Sequence, residues 1–189
     1  QSPERLRLLL ILTTVDIRAV GPNVWNAWKA KLIRELYYRV QETLVGAVQS
    51  GHRADRAEQA KVELGRRLKN WSKKDLEHHL TLGHNDYWLS FDLDTLIYHA
   101  NLIKAAEKDD RNLTITSRVE EALDATEVIV YTPDHPGLFA AIAGAMALAG
   151  ASVVNAKVMT MSNGMAFDMF RIQDADGNAF STKDRLVRL

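Results

Sequence analysis

Residues Thr126 to Ile172 leave this chain few folds to choose from. Val128, Ile129 and Val130 form a β-branched run that breaks at Pro133-Asp134-His135-Pro136-Gly137, and apolar residues then recur at helical spacing from Leu138 to Leu148, closed by Gly150. A second strand follows from Val153 to Met161. Asn163-Gly164 after it predicts a hairpin turn in which both central residues take φ > 0. From Met165 to Gln173, Ala166, Asp168, Phe170 and Ile172 alternate with Met165, Phe167, Met169 and Arg171, the two-residue period of a strand. Strand, helix, strand, strand is the opening of a ferredoxin-like β-α-β-β-α-β unit. Asp174-Ala175-Asp176-Gly177 reads as a plain turn, since it lacks the downstream acid of a calcium loop, and Ser181 to Leu189 reads as a second helix opening at a hydroxyl cap. The last strand is then wanting and the first residue is Gln1, so the 189 residues are expected to be an internal piece of a longer protein. The fold class expected is α+β: a helical N-terminal part followed by a ferredoxin-like βαββ(α) domain truncated before its last strand.

The helical part opens at Ser2-Pro3-Glu4, a capping hydroxyl, a first-turn proline and an acid favoured by the helix dipole, and should stop before Gly21-Pro22. Leu6, Leu8 to Leu12, Val15 and Ile17 leave it hardly any polar face, which predicts a buried helix. Asp16 falls over Leu9, Leu12 and Thr13 on that face, where an ionised carboxylate is costly unless a cation or a metal pairs with it. Pairing with Arg18 or Arg34, or a place at an exposed edge, is the ordinary explanation. A second helix is predicted from an Asn23 cap to about Gln49, with Trp25, Trp28, Leu32, Leu36, Val40, Leu44 and Val48 as a core stripe, ended by Ser50-Gly51. Arg53 to Asn70 reads as a solvated amphipathic helix. Ser72 to Asp75 resembles a capping box opening a short helix that Gly83 closes. His78 and His79, adjacent and so about 100° apart around a helix, cannot chelate from one face and read as surface or packing residues. His84 and His99 receive no role. Asp92 caps a helix from Leu93 to about Lys108, and Leu113 to Val119 reads as an edge strand beside Thr126 to Tyr131, joined by residues 120–124.

Lys+Arg and Asp+Glu number 24 each, so nothing electrostatic points to nucleic acid or a membrane surface as partner. With no cysteine there are no disulfides or thiolate metal sites, and the longest apolar run is far too short to cross a bilayer. A cytoplasmic location is the default expectation. The loop from Pro133 to Gly137 holds the most chemistry. Asp134 can cap the helix that follows, Gly137 lets backbone approach a ligand, and the first-turn amides suit the carboxylate of an amino acid, although most such turns bind nothing.

Thr132 to Phe139, Ala149-Gly150-Ala151 and Asn163 to Asp168 together resemble the first ACT domain of the PII uridylyltransferase/uridylyl-removing enzymes. Leu6 to Leu10, Asp16 to Pro22 and Arg34 to Tyr38 resemble the end of their HD phosphohydrolase domain, so the resemblance covers nearly the whole chain. It implies three parts: residues 1–50 as the end of the HD domain, 51–112 as a helical connection, and 113–189 as the ACT domain. It implies that Asp134, His135, Pro136, Gly137 and Leu138 bind an amino-acid effector, glutamine, together with Asn155 on the second strand of a partner domain. Asn155 stands where several of these enzymes carry an acid. Asp16 matches the final aspartate of the HD metal ligands, for Mg2+ or Mn2+. The other ligands have no counterpart here, so no catalytic set is complete and the fragment alone should be inactive. The parent would transfer UMP from UTP to the PII signalling protein and remove it by hydrolysis, with ACT–ACT pairing. An ACT module of another HD-containing enzyme, such as a stringent-response synthetase/hydrolase, and a purely structural dimerisation domain are the alternatives.

Overall fold

The computed structural model describes residues 3–21, 25, 27–45 and 50–180. The predicted caps at Ser2 and Asn23, the end of the second helix near Gln49 and the helix over Ser181 to Leu189 lie outside them. Six helices come first: α1 (Pro3–Val20), α2 (Ala27–Val45), α3 (Ser50–Arg67), α4 (Lys73–Leu82), α5 (Asn85–Ser90) and α6 (Leu93–Lys108). Then follow β1 (Thr114–Glu120), a 3-10 turn (Glu121–Leu123), β2 (Ala125–Pro133), α7 (Leu138–Leu148), β3 (Ser152–Lys157) and β4 (Met165–Gln173). No helix among the described residues is long and apolar enough to cross a membrane.

The strands form one antiparallel sheet in the order β1-β2-β4-β3. In a β-α-β-β-α-β unit the two halves interleave, so that the last strand lies beside the first. That edge of β2 is occupied here by β1, which gives the ferredoxin-like sheet its fourth strand from upstream. The hairpin between β3 and β4 differs from the expected two-residue turn. Gly164 alone takes positive φ (79°); Gly164 N donates to Met161 O (3.0 Å) and Met161 N to Met165 O (2.7 Å). This is a three-residue loop with a left-handed glycine at its end, and it frees the Asn163 side chain for other partners. Asp174 closes the later turn, its carboxylate accepting from the amides of Asp176 (3.0 Å) and Asn178 (2.9 Å).

The central strands β2 and β4 are buried on both faces. On one, Val128, Val130, Phe170 and Ile172 pack with Met146 of α7, Ala151 and Phe180. On the other, Ile129, Tyr131, Phe167 and Met169 share a core with Tyr87, Trp88, Leu96 and Ile103 of the helical connection. α6 supplies that core because Leu96, His99, Ala100, Ile103 and Ala106 recur every three to four residues. Ser72 and Asp92 start α4 and α6 as expected, their side chains accepting from Asp75 N (3.1 Å) and Thr95 N (2.8 Å). α3 buries Ala57 and Leu64 and exposes Val62, while Ser50-Gly51, expected to end a helix, instead begins this one.

α1 departs from expectation. It packs against α2, yet Leu8, Leu9, Ile11, Leu12 and Val15 are each more than half exposed, and Leu32 and Leu36 of the α2 stripe are exposed too. An apolar periphery asks for cover all round, and two helices can cover only the seam between them.

Two substitutions of opposite sign test the helical layer. A Cβ at Gly83 would lie 2.4 Å from Tyr87 Cδ1 and 3.0 Å from Trp88 Cε2, whereas at Gly65 it meets Leu76 at an ordinary 3.5 Å. Gly83→Ala is expected to lower stability by about 1–3 kcal/mol through overpacking. Gly65→Ala should raise it by about 0.5–1 kcal/mol through helix propensity. Urea denaturation of both variants checks the pair.

His79 and His99 are buried and neutral. Neither nitrogen of His79 has a hydrogen-bond partner, and its ring stands edge-on to Trp71 and Trp88. Burial first, and then neighbouring positive charge, lowers His79 to about 4 and His99 to about 3 from an ordinary 6.5. The unfolded chain therefore binds these protons first. Their contribution is constant above pH 6.5 and stability falls as the pH drops below it, by up to about 1.4 kcal/mol per pH unit for each histidine. His79→Leu should stabilise the neutral protein by about 1 kcal/mol, by removing two unpaired polar atoms, and should flatten the acid slope by one proton. Denaturation midpoints between pH 5 and 8 give both values.

Candidate functional site

Pro133 ends β2 because it cannot donate to a ladder, and the chain leaves the sheet at Asp134. Asp134 does not cap α7 as expected. Its amide donates to Gly164 O (3.0 Å) and its carboxylate accepts from the Thr160 hydroxyl (2.6 Å), which ties the loop to the β3–β4 hairpin. Gly137 holds the N-cap position instead, at φ 84°, a left-handed conformation open to glycine at little cost. Leu138 N donates to His135 O (3.2 Å) and Ala141 N to Gly137 O (3.0 Å). The amides of Phe139 and Ala140 lie between them in the first turn, where no intrahelical carbonyl is within reach. Asp134, His135, Pro136 and Gly137 are exposed and Leu138 is half-buried.

The structure thus brings residues 134–138 together and leaves Asn155 apart. Asn155 pairs with Arg171 across β3 and β4, while the loop leaves the sheet at the Pro133–Met165 pair. The six-residue separation along β4 is roughly 20 Å at strand rise. Asn155 is instead the last member of a polar row that crosses all four strands, Arg118–Glu127–Arg171–Asn155. Glu127, only 2% exposed, bridges Arg118 (2.8 Å) and Arg171 (3.7 Å), and Arg171 also reaches Glu120 (2.5 Å). Burial pushes the Glu127 carboxyl up, against the pull of the two guanidinium groups.

Two features near the loop were not singled out from sequence. Asp168, on the face with Phe170, is 1% exposed and accepts only a long bond from Met159 N (3.4 Å). Its burial raises its pKa and the Asp134 charge adds to the rise. A carboxylate between Ala166 and Phe170 on an otherwise apolar strand face was the signal for it. The second feature is a clamp that joins the hairpin to the helices. Ser162 N donates to Leu82 O (2.9 Å) and Ser162 Oγ to Thr81 O (2.7 Å); Asn163 Nδ2 donates to the Tyr131 hydroxyl (3.0 Å), which donates to Glu107 (3.4 Å). Burial of that phenol raises it to about 12. The turn type released Asn163 for this, which no residue pattern disclosed.

Asp16, expected on an inward face, is exposed on α1. Among the described residues no three His, Asp or Glu side chains are placed to hold a metal ion.

No family model matches the chain. It is 48% identical over 190 residues to the bifunctional uridylyltransferase/uridylyl-removing enzyme of Azospirillum brasilense, with all of this chain and 20% of that protein aligned. The enzymes of the same name from Rhodospirillum rubrum and Gluconobacter oxydans are 45% and 44% identical over 191 residues, again with all of this chain and 20% of each protein aligned. The chain spans about one fifth of the length of these curated relatives. Throughout its length, therefore, the chain is related to one segment of the bifunctional uridylyltransferase/uridylyl-removing enzymes.

Proposed function

We propose that this chain is the regulatory segment of such an enzyme and that its ferredoxin-like part is an ACT domain sensing glutamine. The enzyme would act in the cytoplasm, transferring UMP from UTP to the PII protein and removing it again. The observation that carries the reading is the Gly137 turn. It is left-handed, a Cβ there would meet nothing within 4 Å, and first-turn amides without intrahelical partners stand beside it. That is room and donors for the carboxylate of an α-amino acid, at a helix end that favours negative charge. Asn155 lies too far along the sheet to complete the site within one copy, so it would act across a pair of such domains. The open edge of β3, with Phe139 and Leu148 exposed on α7 beside it, supports such pairing.

Asp16 would give one oxygen to the Mg2+ or Mn2+ of the HD domain, whose other ligands must come from outside these residues. The chain by itself is therefore expected to release no UMP from uridylylated PII with either ion. Release above background, followed by nucleotide chromatography, would contradict this reading of Asp16.

The loop is tested in the full-length enzyme. Gly137→Val forces a β-branched residue into the left-handed region, at a cost of roughly 1–2 kcal/mol, and sets methyl groups where the ligand must lie. The glutamine concentration that half-switches uridylyl removal should rise tenfold or more, with an unchanged circular dichroism spectrum. Gly137→Asn tolerates the left-handed turn and should shift the midpoint less. An unchanged midpoint in folded Gly137→Val protein moves the sensor elsewhere.

A further inference from the structure

We propose that the cleft between α4 and α6 is a second ligand site, apart from the Gly137 loop, and that it takes a small uncharged aromatic molecule carrying a hydroxyl group. The cleft holds about 360 Å3, within the range of small-molecule sites. Its bottom is formed by His79 of α4 and Ile103 of α6, both buried, with Trp71 half-buried beside them. What singles the cleft out is His79. Among the described residues neither of its ring nitrogens has a hydrogen-bond partner, although the residue is only 2% exposed. A buried donor or acceptor left unpaired costs folding free energy, and a ligand that supplies the missing partner recovers part of that cost as affinity.

The chemistry of the ligand follows from the lining. Burial keeps the His79 ring neutral, so one nitrogen carries a proton and the other a lone pair. A hydroxyl both donates and accepts, and can therefore pair with whichever nitrogen faces the cleft. The His79 ring already stands edge-on to Trp71, with centres 5.7 Å apart, and a further aromatic ring extends that arrangement. On the rim the carboxylates of Asp75 and Glu107 and the ammonium groups of Lys104 and Lys108 offset one another, so neither sign of charge is strongly drawn in. Lys104 is what an entrant must displace. Its ammonium lies 4.3 Å from the centre of the Trp71 ring and 2.8 Å from the Asp75 carboxylate, and a partly exposed pair of this kind holds its place only weakly. Glu107 also accepts from the Tyr131 hydroxyl (3.4 Å) and from Asn163 (3.5 Å), so an occupant that shifts Glu107 bears on the clamp at the hairpin.

Titration of the 189-residue chain at neutral pH with phenol, and with toluene as the ring that lacks the hydroxyl, tests this when followed by nitrogen NMR of the histidine side chains. Phenol is expected to bind saturably, about tenfold more tightly than toluene, and to move a ring-nitrogen resonance of His79. In His79→Leu the preference for phenol should disappear. If that variant does not fold, the comparison of phenol with toluene and the His79 resonances of the unaltered chain decide the matter. The absence of saturable phenol binding, equal binding of toluene, saturation that leaves the His79 nitrogens unmoved, or a preference that survives in folded His79→Leu protein would each overturn the proposal.

Discussion

The packing of Phe167 against Tyr87 and His99 is the contact on which the rest of the arrangement depends. Phe167 projects from β4 to the side of the sheet away from α7, with its ring centre 4.7 Å from that of His99, 6.0 Å from Tyr87 and 6.1 Å from Tyr131. Removing such a ring typically costs about 3–5 kcal/mol, whereas each hydrogen bond of the Ser162 and Asn163 clamp contributes about 0.5–1.5 kcal/mol. Burial holds the layers together. The clamp sets how they are registered.

That division explains how a loop at one end of the sheet can be felt by the helices. Asp134 is bonded to Thr160 and Gly164, and between these lies the hairpin whose Ser162 holds the carbonyl end of α4 and whose Asn163 reaches α6 through Tyr131 and Glu107. Each link is a directed hydrogen bond, so a shift in the loop strains the chain of bonds that ends on α4 and α6. The charged row at the other end, with Glu127 buried between two arginines, gives the sheet a second fixed point.

Much of this was written in local pattern. β4 and α7 run over the residues that their periodicity marked, Ser72 and Asp92 cap as their positions required, and β1 pairs with β2 as the alternation at Leu113 to Val119 suggested. What escaped depended on contacts between distant segments. Met165, Phe167 and Met169 showed that the second face of β4 was apolar, but not that α6 would cover it. Asp134 lost its capping role because Gly137, in a left-handed conformation, took that place and Thr160, 26 residues away, took the carboxylate. The exposure of α1 escaped for the opposite reason, since periodicity records which residues seek cover and not whether cover is at hand.

α4 to α6 and the sheet form one cooperative unit around Phe167. Native-state hydrogen exchange on the intact chain at rising, sub-denaturing guanidinium measures this most directly. The account predicts that the buried turns of α6 around Leu96 to Ala106 and the strand amides of Ala166 to Ile172 open with one free energy and one denaturant dependence. Opening of α6 at distinctly lower denaturant, with the strand amides still protected, would show that the helices merely rest on an independent sheet and would contradict it.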